Sequence, residues 1–150
     1  MIQTTKTLDW DKYLKTAAQV VSEGIVMLKN EHQALPLKPH EEIALFGRIQ
    51  FHYYKSGTGS GGMVNVSKVT NIVDGLQESG IKLNQELLDV YHKWDNENPF
   101  DLGDGWGKEP WSQKEMPLED SLAARAAKRC QTAIAVIGRT AGEEQDNSLT

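Results

Sequence analysis

The sequence predicts an α/β fold with a largely parallel sheet, and three observations carry the prediction. Apolar strand-like runs alternate with helix-like segments along most of the chain. Two of those runs, residues 43–46 and 133–137, each stop at a glycine, Gly47 and Gly138. The second run is continuously small or β-branched, which is the pattern of a strand covered on both faces. Helices on both faces of such a sheet make a three-layer sandwich.

The elements follow in order. Over residues 11–29 the apolar positions Leu14, Ala17, Ala18, Val21, Ile25 and Leu28 recur at steps of three and four. That spacing predicts an amphipathic helix, capped by Asp9 or Asp11, weakened slightly by Gly24 and ended near Asn30. Residues 33–42 hold two prolines and form a connector. Residues 43–46 are a short strand. Residues 48–69 carry no helix signal; they hold an aromatic patch (Phe51, His52, Tyr53, Tyr54) and then the glycine loop GTGSGG at 57–62. Thr70 can cap a helix through Ile72, Val73 and Leu76 that stops at Gly80. A short strand at 81–83 and a helix over 85–94 come next. The stretch 95–117, with three prolines and three glycines, is long enough to be functional or disordered. An alanine-rich helix over 118–129 feeds the final strand. The expected core is Ile43, Leu45, Val136 and Ile137 with the inner face of the first helix (Val21, Ile25, Leu28).

Length and composition narrow the function. At 150 residues the chain has room for one domain with its own core. A net charge of −5, with cations scattered singly, argues against nucleic acid, which needs a basic stripe. No apolar run approaches a bilayer span, and residues 1–15 contain no apolar signal core. The expectation is therefore no membrane and a cytoplasmic protein, or one whose export signal has been removed. Cys130 is the single cysteine, set among small and apolar residues, and reads as a buried structural thiol. His32, His40, His52 and His92 share no metal-ligand spacing, so no metal or other cofactor is expected.

The chemistry is concentrated at the end. After Gly138 a polar loop carries Glu143, Glu144 and Asp146. In an open parallel sheet the mouth beyond the strands' carboxyl ends is where ligands collect. A carboxyl group delivered there, with other acids beside it, is set up for a raised pKa and acid catalysis. The loop 57–62 also has the spacing G-x-G-x-x-G. No apolar strand runs directly into it, however, and no helix or Lys-Ser/Thr pair follows it, so the nucleotide reading lacks its context.

Four motifs in order carry a resemblance. Residues 17–47, AAQVVSEGIVMLKNEHQALPLKPHEEIALFG, resemble the opening of the smaller α/β sandwich domain of glycoside hydrolase family 3. The loop Gly57, Gly59, Ser60, Gly61 is similar to that family's G-x-G-S-G. Thr70 to Leu76 matches its T-x-x-x-G-L helix, and Gly142, Glu143 and Asp146 match part of its G-E-G-x-D-R loop. The resemblance covers residues 17–150, leaving 1–16 as a lead. It implies part of a retaining β-glycosidase, a β-glucosidase in the first instance, acting on a β-glucoside or oligosaccharide. Such enzymes use two carboxyl groups, one as acid/base and one as nucleophile. The resemblance places the Asp nucleophile in a barrel domain of the same parent and the acid/base at Glu143. Glu144 is the runner-up, because it stands where the family has glycine and Asn147 stands where it has arginine; Glu143 is favoured because it directly follows the glycine. The glycine loop would approach the sugar closely at Gly59, with Ser60 facing the pocket. Among the tryptophans of the long loop, Trp106 is a candidate to lie beside the aglycone.

The stop at Thr150, directly after the acidic loop, suggests an incomplete domain: either an excised piece, or the start of a parent with the sandwich first and the barrel after. The short lead favours the second. On either view this chain alone is expected to be inactive. The competing reading is a non-catalytic α/β module that binds a sugar or nucleotide.

Overall fold

The computed structural model describes residues 7–54, 66 and 68–142. The chain divides into two compact units, Met1–Pro36 and Leu37–Thr150. In the first, helix α1 spans Trp10–Gly24, and Asp9 caps it by accepting from the Lys12 amide at 3.0 Å. The Asn30 side chain then brackets a 3-10 turn, Glu31–Gln33, donating to the Leu35 carbonyl at 2.8 Å and accepting from its amide at 3.0 Å.

Two expectations fail in this unit. The helix predicted to reach residue 29 ends at Gly24, and Ile25 is already extended at φ −79°, ψ 121°. Glycine lowers helix propensity, and the β-branched pair Ile25 and Val26 that follows favours extended backbone. The proposed inner face is also not buried: Val21, Ile25 and Leu28 are all exposed, and α1 has no buried residue. An amphipathic pattern marks a stripe that needs cover, and a single helix cannot cover its own.

The second unit is built on a three-stranded parallel sheet in the order β2-β1-β3. Along the chain run β1 (Glu42–Phe46), α2 (Ile72–Glu78), β2 (Lys82–Leu83), α3 (Gln85–Glu97), α4 (Asp120–Arg129) and β3 (Thr132–Ala135). Central β1 pairs Ile43 with Leu83 on one side and with Thr132 on the other. Its residues Ile43, Ala44 and Leu45 are buried. Ala44 packs with Leu87 and Tyr91 of α3, Leu122 and Ala126 of α4, and Met116. Leu45 packs with Val73 of α2 and Leu88 of α3. Helices thus cover β1 on both sides, and the α/β sandwich expected from the sequence is present in outline.

Polar caps fix the helices to the sheet. Asn71, one residue beyond the expected Thr70, accepts from the Asp74 amide at 2.7 Å. Asn84 caps α3 by accepting from the Leu87 amide at 3.0 Å, while its own amide donates to Glu42 at 2.9 Å and reaches the Cys130 sulfur at 3.6 Å. Burial raises the Cys130 thiol pKa, opposed by the Asn84 contact, so the thiol is held neutral and structural.

The last strand departs from its predicted environment. Val136 is only half-buried, and Ile137 is 79% exposed. Among the described strands β3 pairs with β1 alone, and its residues alternate between half-buried and exposed. Ile43→Ala is therefore expected to cost this chain about 2–5 kcal/mol. Ile137→Ala should change stability by about 0.5 kcal/mol or less. Urea titrations of the two variants give the comparison. No helix among the described residues is long and apolar enough to cross a membrane.

Candidate active site

The strand order 2-1-3 has its reversal between β1 and β3, and crevices in open parallel sheets form beyond the carboxyl ends of the strands at that point. Both exits are held close together. The Val136 amide donates to the Phe46 carbonyl at 2.8 Å, which carries the ladder one residue past β3. Gly47 has φ +96°, and a Cβ there would lie 2.1 Å from the Val136 carbonyl oxygen, so the turn after β1 admits only glycine. The amide of Gly47 donates to the Tyr91 hydroxyl at 3.1 Å. On the β3 side, a Cβ on Gly138 would fall 2.5 Å from Ile49 Cγ1, within the 3-10 turn Arg48–Gln50. The two glycines that punctuate the strands in the sequence are thus the places where the exits touch.

Arg48 anchors the β1 exit. It is 1% exposed; its guanidinium donates to Asp95 Oδ1 at 2.7 Å, to the Lys114 carbonyl at 3.1 Å and to the Asn98 carbonyl. Its backbone amide donates to Glu115 Oε2 at 2.9 Å. The guanidinium also lies 4.9 Å from the Trp94 ring centroid and 5.6 Å from that of Phe100. Asp95 uses its second oxygen on His52 Nε2 at 2.6 Å, and the His52 ring lies against Phe100, with centroids 4.7 Å apart. Tyr54 also meets Phe100, with ring centroids 5.9 Å apart and a T-shaped arrangement. The Gln113 amide, bonded to Asp101 through its oxygen and nitrogen, lies beside the Tyr54 hydroxyl, which makes no hydrogen bond of good geometry among the described residues. Burial raises the Tyr54 pKa, opposed by Gln113 and then by Arg48 and Arg139.

The long segment after α3 is fastened to both exits. Arg48 ties its start and its end to the β1 side, at Asn98, Lys114 and Glu115. Gln113 ties it across itself to Asp101, with bonds of 2.9 and 2.8 Å. Thr140 ties it to the β3 side: its amide donates to the Trp111 carbonyl at 3.0 Å, and its hydroxyl reaches the Pro110 and Trp111 carbonyls at 3.1 and 3.3 Å. The segment is therefore a wall bridging the mouth, and Trp106 stands exposed on it.

Of the residues the sequence singled out, Trp106 is on this wall. Glu143, Glu144, Gly59 and Ser60 lie outside the described residues. Among the described residues no cluster of His, Cys, Asp or Glu is arranged to hold a metal ion. Sequence reasoning missed Arg48, Asp95, Glu115 and Thr140. The one local signal was an arginine set directly after an apolar strand and its glycine. Its partners are far away in sequence and carry no mark of the pairing.

Comparison with known proteins places the chain. The "Glycosyl hydrolase family 3 C-terminal domain" profile matches residues 25–150. A β-glucosidase of Ruminococcus albus is 60% identical over 141 residues, covering 94% of this chain and 15% of that protein. β-Glucosidase A of Butyrivibrio fibrisolvens is 32% identical over 142 residues, covering 92% of the chain and 16% of its own length. Among solved structures, a β-glucosidase from Paenibacillus barengoltzii superposes with a TM-score of 0.86 at 49% identity, over 93% of this chain and 15% of that one. β-Glucosidase 3B from Thermotoga neapolitana, in complex with glucose, gives 0.81 at 30% identity, over 96% and 20%. The chain thus spans about a sixth of the curated relatives it matches. With the profile covering most of its residues and the same α/β layering in its structural neighbours, this chain belongs to the glycosyl hydrolase family 3 C-terminal domain family.

Proposed function

We infer that residues 17–150, after a lead at 1–16, supply the acid/base loop and part of the substrate pocket of a retaining β-glucosidase. The substrate is a β-glucoside or oligosaccharide. A barrel domain of the same parent provides the Asp nucleophile. Glu143 is the acid/base, with Glu144 as the alternative. Ser60 and Gly59 border the sugar, and Trp106 borders the aglycone. The two curated relatives are both named β-glucosidases, which favours this reading over a non-catalytic sugar- or nucleotide-binding module.

One observation carries the inference. The chain leaving β3 is held at the β1/β3 reversal as far as Thr140, and Glu143 follows three residues later in the sequence. In the first step the Asp attacks the anomeric carbon while Glu143 protonates the departing oxygen. In the second, the Glu143 carboxylate takes a proton from water, whose oxygen displaces the Asp. Neither step can be completed with one carboxyl group. The purified chain should therefore release no more phenol from a chromogenic aryl β-glucoside than buffer does, whereas the complete parent turns it over. Clear turnover by the chain alone would overturn the two-domain reading.

A further inference from the structure

The hydroxyl of Thr140 has no part in the chemistry just described, yet its position ties the catalytic loop to the long wall. Beyond β3 the backbone is held by the Val136 amide on β1 and by Thr140 on the wall. Thr140 is 7% exposed. Its amide and hydroxyl converge on the adjacent carbonyls of Pro110 and Trp111, with the Trp111 oxygen receiving both. The two residues directly before Thr140 do not anchor the chain to the wall with their side chains: Gly138 has none, and the Arg139 guanidinium donates to the neighbouring Gly138 carbonyl at 2.9 Å.

The wall end of the contact is itself rigid. Pro110 has a fixed φ. The segment is closed by the Gln113–Asp101 pair, and Gly103 is approached so closely by the Lys108 carbonyl that a Cβ there would lie 2.1 Å from it. A strand exit hydrogen-bonded to a stiff wall transmits the wall's position to whatever follows it.

We propose that Thr140 is a positioning residue for the acid/base, its hydroxyl clamping the β3 exit to the Pro110–Trp111 carbonyls and so setting where the carboxyl group of Glu143 meets the leaving oxygen. The proposal rests on the assignment of Glu143 as the acid/base. A misplacement of about 1 Å in a reacting group can cost about 100-fold in rate. Loss of the clamp falls on protonation of the leaving group, which depends on the acid's position, and spares departures that need no proton.

The test uses the complete parent enzyme. Thr140→Val keeps the β-branched shape and the amide bond but loses the hydroxyl; Thr140→Ser keeps the hydroxyl and loses the methyl. For a glucoside with a poor, alkyl leaving group, kcat/KM of Thr140→Val should fall by about 10- to 100-fold. For a dinitrophenyl glucoside it should stay close to the parent value. Thr140→Ser should restore the alkyl glucoside rate. Equal losses on both substrates, or loss of thermal stability with no split between them, would overturn the proposal and leave Thr140 as packing. If Thr140→Val does not accumulate, Thr140→Ala is read in the same way. Glu143→Gln on the same substrates separates the two ideas. A split in Glu143→Gln without one in Thr140→Val removes the clamp alone, and no split in Glu143→Gln removes the acid assignment and the clamp with it.

Discussion

Arg48→Ala is expected to destabilise this chain by about 3–5 kcal/mol, the range seen when one partner of a buried ion pair is removed. The side chain of Arg48 is 2% exposed and that of Asp95 15% exposed, so deleting the guanidinium strands a carboxylate that water reaches poorly. Three further links go with it: the bonds to the Lys114 and Asn98 carbonyls and the stacking against Trp94 and Phe100. Those two carbonyls flank the long wall, so its ends should loosen together. Arg48→Lys keeps the charge but cannot present the planar fork to three acceptors, and it should recover only part of the loss. Asp95→Asn in the Arg48→Ala background should be milder than the sum of the two single changes, because the second substitution removes the stranded charge. Urea unfolding of the four proteins measures this, and additive costs would show that the pair is not coupled.

In the complete parent enzyme Glu143→Gln should lower kcat/KM for poor leaving groups by about 100- to 10,000-fold, the usual scale of general acid catalysis. A glutamine has no proton to give as the glycosidic bond breaks. Activated aryl glycosides should form the glycosyl-enzyme almost normally and then stall, because no base remains to take the proton from water. Azide needs no base: it attacks the anomeric carbon directly, so its addition should raise turnover and yield the β-glucosyl azide. Glu144→Gln should show neither the stall nor the rescue. Rescue of the Glu144 variant instead would move the acid by one residue, and rescue of neither would place it elsewhere in the parent.

The sheet was legible because its strands are short apolar runs closed by glycines: Gly47 is required by its positive φ and the approach of the Val136 backbone, and Gly138 packs so closely on Ile49 that a Cβ would force that side chain to move. The caps were legible to within a residue, since Asn71 and Asp9 are polar residues placed directly before apolar periodicity. The first helix was misread in length, because its apolar spacing continues through Ile25 and Leu28 although the backbone turns extended at Ile25. Ile137 was misplaced because a continuous apolar run says that a strand seeks cover on both faces without saying which elements supply it. Glu143 and Glu144 were singled out by a motif and lie outside the described residues. The contacts that hold the strand exits could not be read: Arg48 with Asp95 and Thr140 with Pro110 are pairs distant in sequence, made of residue types that are common on any surface.

The strand order also sets a timetable for folding. β1 is made before both of its partners, yet its more extensive pairing is with β3, at the far end of the described chain; its pairing with β2 involves only Glu42 and Ile43. Until residues 132–135 have been synthesised, Ala44, Leu45 and Phe46 have no neighbour on that side. Closing so distant a pair is slow, because the entropy of the intervening loop is lost before the contact forms. During translation the sheet's central strand therefore waits unfinished, with a ladder edge and apolar side chains open to other nascent chains. Slow refolding and a yield that falls as concentration rises are the behaviour this topology imposes.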